Sequence, residues 1–208
     1  MKKRTIALLM AAVMLFGVVT GGTIAWLSAE AETVTNTFTV GEIALELNES
    51  ELIKNEDDEG EKTYTLNEEN RVQGNSYQLI PGTTYPKDPV VTITDSNVDC
   101  YLFVKFTEND AATYLEYTSA LTSEAGWTKL DGEDDVWYRV VEADAETKTW
   151  DLLSPETVKV KESIVLKAND DKDIQMPTTS QLLVWNAYAV QKDNLTVTEA
   201  WNLVKPAN

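Results

Sequence analysis

Short β-prone runs broken by turn residues constrain this chain more than any other feature. Ile43, Leu45 and Leu47 alternate with Glu42, Ala44 and Glu46. That period of two marks a half-buried strand. Val90 to Thr94 and Cys100 to Thr107 are branched and aromatic, and Asp95-Ser96-Asn97 between them predicts an antiparallel pair. Trp127 to Leu130 and Val136 to Val141 flank Asp131-Gly132-Glu133-Asp134-Asp135, a hairpin signal. Ile80-Pro81-Gly82 reads as a turn, since proline sets φ and glycine allows it to be positive. Ser163 to Ala168 reads as a further strand, and the long apolar run Leu182 to Gln191 as a central one. Residues 48–70 are charge-rich around Glu56-Asp57-Asp58-Glu59-Gly60. They predict an exposed loop with short strands at Glu51 to Ile53 and Thr63 to Leu66. Only two stretches suit a helix. Asn109 to Tyr117 is short, and Thr196 to Val204 has Thr196 and Glu199 at capping-box spacing, with Ala200, Trp201 and Val204 on one face. Many strands and few helices predict an all-β antiparallel sandwich with one or two short helices.

The N-terminus has to be set aside before that fold is considered. Lys2, Lys3 and Arg4 precede the apolar run Ile6 to Val19, which is 14 residues long and too short to span a bilayer. Small residues follow, and the whole reads as a cleavable export signal. A small-x-small rule would cut after Ala31, before Glu32. The membrane is then met only by the precursor. The remainder, 26–208, is long enough for one domain with its own core.

The formal charge is −18, and removing residues 1–25 takes away three positive charges and no acid, leaving −21. So acidic a body does not bind nucleic acid by neutralising phosphates. The chain is 43% apolar and has six tryptophans, which argues against global disorder. A single cysteine, Cys100, rules out an intrachain disulfide, and its strand-like setting predicts a small buried hydrophobe. There is no histidine. That removes Ser-His-Asp and Cys-His catalysis and histidine-based zinc sites. No catalytic constellation is evident, and no enzyme is expected.

The stretch Gly21-Gly22-Thr23-Ile24-Ala25-Trp26-Leu27-Ser28 resembles the signal region of proteins exported through the SipW type of signal peptidase, among them TasA-like matrix fibre proteins and camelysin-like proteins of Gram-positive bacteria. Thr33 to Gly41 leading into Ile43 to Leu47 fits as well, with echoes at Ile80-Pro81-Gly82, Lys87-Asp88-Pro89 and Ala187 to Gln191. The resemblance implies cleavage between Ala25 and Trp26 and a jelly-roll-like sandwich. It also implies a place in the biofilm matrix or on the cell surface. Camelysin-like proteins have been classed as metallopeptidases, yet this chain lacks the ligands such chemistry normally uses.

Three candidate sites remain. Asp131, Glu133, Asp134 and Asp135 form a weak calcium candidate, alongside Glu56 to Glu59 and Asp170 to Asp173; none matches the EF-hand spacing. Solvated loop acids on a strongly negative chain are the better reading of all three. Trp127, Trp137, Trp150, Trp185 and Trp201 could form a glycan platform, but tryptophan inside apolar runs is ordinary sandwich core. The segment Trp26 to Val40 is threonine-rich and β-prone, and Val34, Phe38 and Val40 alternate with Asn36 in the same row. Parity changes at Gly41, which suggests a bend. Such a segment can pair with an open sheet edge on a neighbour, and the resemblance implies this donor-strand mode. Packing within its own sandwich is the alternative. The expectation is an exported structural protein that partners itself or related matrix proteins. A monomeric surface module for glycan or calcium is the alternative, with no cofactor required otherwise.

Overall fold

The computed structural model describes residues 42–144, 146–163 and 181–206, all within the compact unit Gly41–Asn208. The signal region, both cleavage positions (Ala25–Trp26 and Ala31–Glu32), Val34, Phe38, Val40, the Gly41 bend, Asp170 to Asp173 and nearly all of the strand expected from Ser163 lie outside the described residues.

Within them the chain is mostly strand: β1 (Ile43–Glu56), β2 (Lys62–Val72), β3 (Thr84–Pro86), β4 (Val90–Ser96), β5 (Cys100–Glu108), α1 (Ala111–Tyr114), β6 (Leu115–Glu116), β7 (Thr128–Lys129), β8 (Val136–Val141), β9 (Lys148–Asp151), β10 (Thr157–Val160), β11 (Leu183–Gln191) and α2 (Val197–Val204). The strands form two four-stranded antiparallel sheets, in orders β2-β1-β4-β9 and β11-β5-β8-β7, and a three-stranded sheet β3-β10-β6. The molecule is an all-β sandwich.

Side-chain parity shows how the layers stack. Ile43, Leu45 and Leu47 of β1 and Val91 and Ile93 of β4 meet Leu102, Val104 and Phe106 of β5 across the main core. The opposite face of β5 points Phe103 at Ala200 and Trp201 of α2, together with Val136 and Leu130. One sheet is therefore covered on both faces, by a second sheet and by a helix. Helix α2 starts as its spacing predicts: the Thr196 hydroxyl accepts from the Glu199 backbone N–H, and the Glu199 carboxylate accepts from the Thr196 N–H at 2.8 Å. Such a box satisfies two donors that a helix start leaves open. Pro81 and Gly82, with φ +79° at the glycine, form the expected turn, closed by Thr83 N–H to Ile80 O at 3.1 Å. Cys100 is fully buried in β5, and burial pushes its thiol up.

Three expectations need correction. Residues 48–70 form the strands expected at Glu51 to Ile53 and Thr63 to Leu66, but these extend so far that little loop is left. β1 and β2 pair from Glu49 to Glu56 against Lys62 to Val72, so only the tip is a turn. Most of β2 is exposed, and only Tyr64 and Leu66 give it a short half-buried row, so its charges hide its extent. Secondly, β4 and β5 are not a hairpin. β4 pairs with β1 and β9, β5 with β11 and β8. The linker passes the chain between sheets: the Asn97 carboxamide accepts from Glu42 N–H at 2.9 Å, and the Ser96 hydroxyl donates to Val98 O at 2.6 Å. Thirdly, among the described residues β11 is an edge strand that pairs with β5 alone. It reads as central because both its faces are apolar, Trp185 and Ala187 toward the main core and Tyr188 and Val190 toward α2.

Candidate functional site

β1 changes partner in mid-strand. Ile43 to Asn48 pair with β4, and Glu49 to Glu56 with β2. At the change-over Glu49 and Ser50 are buried, as are Lys87 and Asp88 on the approach to β4. Buried charges need partners and hydrogen bonds, and these have them. Asp88 accepts from the Ser50 backbone N–H at 2.8 Å and from its hydroxyl at 2.7 Å. Arg71 reaches the same carboxylate at 3.1 Å and donates to the Asn48 side chain at 2.6 Å. One Glu49 oxygen accepts from the backbone and carboxamide of Asn75, at 2.7 and 3.0 Å, and the other pairs with the Lys87 ammonium. Asn75 in turn accepts from Leu52 N–H at 2.8 Å and donates to Ser50 O at 2.7 Å. The network pins the residue at which β1 leaves one neighbour for the other.

Above Lys87 a groove of about 1140 Å³ opens, walled by Leu45 and Leu47 of β1, residues 73–79, and residues 181–188 at the start of β11. The ammonium of Lys87 lies over the Tyr77 ring, 4.7 Å from its centroid, and 5.5 Å from that of Trp185. Trp185 also stacks on Phe106 at 4.9 Å. Two polar atoms of residues lining this groove, the Tyr77 hydroxyl and the Trp185 indole Nε1, are buried with no geometric hydrogen-bond partner among the described residues. Burial holds the Tyr77 phenol above its usual range and the Glu49 charge adds to that, while Asn75 close by pulls the other way. Beside the groove, β11 offers an edge with no partner among the described residues. An unpaired edge is a template for another strand.

Arg139 of β8 lies between Trp127 and Trp150, 5.0 and 4.6 Å from the ring centroids. Gly126, at φ +80°, lets the chain pass: a Cβ there would sit 3.0 Å from Arg139 Nη2. Among the described residues Arg139 has no carboxylate partner, and its Nη1 is buried without an acceptor.

The acidic hairpin forms where expected, between β7 and β8. Its acids are largely spent on structure: Glu133 accepts from the Trp201 indole at 2.8 Å, and Asp135 lies 3.4 Å from Lys105. Asp131 and Asp134 are exposed. This turn lines a cavity of about 720 Å³. Trp127 and Trp201 are buried, and Trp137, Trp150 and Trp185 pack partly buried against the main core, so the described tryptophans make core and no open platform. The residues that build the groove were hard to read in advance. Glu49 sat in a stretch that reads as loop, and Tyr77 between polar residues. Lys87-Asp88-Pro89 stood out only through the family resemblance.

The family model described as camelysin metallo-endopeptidase matches residues 1–195. No curated protein and no solved structure matches the chain. The metal that such a description implies does not fit the donors present. The chain has no histidine, and among the described residues no three acidic or thiol side chains are grouped to hold an ion. Those described residues also include no helix long and apolar enough to cross a membrane. Nearly the whole length of the match lies over this sandwich and the segment before it, and by that match the chain belongs to the camelysin/TasA-like family.

Proposed function

We propose that this chain is an exported, non-catalytic structural protein of the extracellular matrix or cell surface. Its mature N-terminal segment adds as a strand to the β11 edge of a neighbour, with Val34, Phe38 and Val40 entering the groove. One observation carries the reading: the edge of β11, unpartnered among the described residues, runs beside a large, mostly apolar groove. Strand addition takes its affinity from the main chain and its specificity from alternate side chains in pockets. A signal peptidase of the SipW type frees the strand by cleaving between Ala25 and Trp26, so export and assembly are coupled. N-terminal sequencing of the exported protein checks that position; a start at Glu32 overturns it.

The deciding experiment compares protein starting at Trp26 with protein starting at Glu42, by light scattering and electron microscopy from pH 4 to 8. Filaments from the longer form alone support the reading. Monomers from both overturn it, as do filaments from both.

A further inference from the structure

Where β1 changes partner, an amine and a carboxamide share one buried carboxylate. The Lys87 ammonium donates to Oε2 of Glu49. The other oxygen, Oε1, accepts from the Asn75 carboxamide Nδ2 at 3.0 Å and from its backbone N–H at 2.7 Å. Glu49 is 4% exposed and Lys87 9%, and the rings of Tyr77 and Trp185 lie against the ammonium. The carboxamide is fixed on its other side as well. Its oxygen accepts from Leu52 N–H at 2.8 Å, and Nδ2 donates to Ser50 O at 2.7 Å. These are the parts of an amide exchange: a nucleophilic amine, a group that carries protons, and a carbonyl whose oxygen already has a donor.

We propose that this is a self-modification site, at which the Lys87 side chain forms an amide bond with the Asn75 side chain and ammonia is lost. Amides resist amines in water, but two groups held in one fold react as parts of one molecule, which raises their effective concentration by orders of magnitude. An amine attacks only after giving up a proton, and the Glu49 carboxylate is in place to take it. Nζ then swings from Oε2 and adds to Cγ of Asn75. Negative charge develops on Oδ1, where Leu52 N–H stabilises it. Glu49 delivers its proton to Nδ2 and takes another from Nζ. The Cγ–Nδ2 bond breaks, the carbonyl re-forms, and ammonia leaves with the last proton as ammonium. One ammonium and one carboxamide thus become one secondary amide and one ammonium ion, with Glu49 ionised as at the start. No oxidant and no co-reactant is required. The bond ties the loop after β2 to the entry of β4, and it stands independently of strand donation.

The test is a tryptic map of the full exported protein, unfolded before digestion. Trypsin does not cut at an acylated lysine. Residues 72–105 should therefore appear as one peptide, lighter than its sequence by one ammonia, with fragment ions placing the link between positions 75 and 87. Separate peptides 72–87 and 88–105 overturn the bond. They do so even when ammonia is missing, because an asparagine that closes on its own backbone leaves Lys87 open to cleavage. An uncut peptide of full mass overturns it too, and a link from Lys87 to Glu49 with loss of water overturns the part given to Asn75. Lys87→Arg keeps the positive charge and Glu49→Gln the side-chain shape, and each should abolish the link. A link at full yield in Glu49→Gln overturns the proton-carrying role of Glu49. The map of the unaltered protein decides the bond itself, whatever a variant does to folding.

Discussion

Two cations of the sandwich, Arg139 and Lys87, each lie against two aromatic rings, and their surroundings solve the problem differently. At one place Arg139 lies between Trp127 and Trp150 with no carboxylate partner among the described residues. At the other, Lys87 lies against Tyr77 and Trp185, is paired with Glu49, and an open groove lies over it. A guanidinium is planar and weakly hydrated, so it stacks on rings and tolerates burial without a counter-ion better than an ammonium does. Lysine is strongly hydrated and needs its carboxylate. The Arg139 stack is thus a packing device. The Lys87 site is an electrostatic lock that leaves ring surface and, among the described residues, hydrogen-bond donors unused, and those are the raw materials of recognition.

Four measurements separate the two. Glu49→Ala should have the largest effect, because it leaves Lys87 buried without a counter-charge and Asn75 N–H without an acceptor. A loss of about 3–5 kcal/mol in urea unfolding is expected from breaking one side of such a pair. Arg139→Met should cost less, about 2 kcal/mol at most, since it removes a desolvated cation–π contact but leaves no charge stranded. A loss equal to that of Glu49→Ala would erase the contrast. Thr196→Ala touches neither site and should cost about 1 kcal/mol through the lost cap of α2, which gives a scale for the other two. The smallest effect is confined to alkali. Tyr77 and Tyr85 have phenols pushed well above the usual 10.0, chiefly by burial. Near neutrality both folded and unfolded chains keep these protons. Above pH 10 the unfolded chain loses them first, so stability falls as pH rises. Tyr77→Phe should reduce that fall and Arg139→Met should leave it untouched, read as urea midpoints between pH 8 and 11.

Alternation in β1 correctly places Ile43, Leu45 and Leu47 inward, because a strand's period of two depends only on which face is buried. The same pattern says nothing of which strand lies alongside. Asp95-Ser96-Asn97 has the composition of a hairpin turn, yet it carries the chain from one sheet to the other. The difference lies in long-range hydrogen bonds to Glu42, 55 residues away from Asn97. Hydrophobicity likewise reports burial and not position: β11 is apolar on both faces because α2 covers one of them, and α2 lies later in the chain. The groove was the least legible part. Its floor is Glu49 and Lys87, and charged residues in a strongly acidic chain look like surface until their partners are known. The capping box of α2 was fully legible, since all of its atoms lie within four residues.

β1 belongs at once to the sandwich and to the ribbon it makes with β2. Its 14 residues reach about 45 Å when extended. Hydrogen bonds of an antiparallel ladder run perpendicular to the strands, so a pull along β1 from the ribbon tip loads its six rows with β4 in shear, all together and not one by one. The ion pairs at the change-over sit between the point of pulling and the groove wall formed by Leu45 and Leu47. Tension on the ribbon therefore meets a clamp before it reaches the groove.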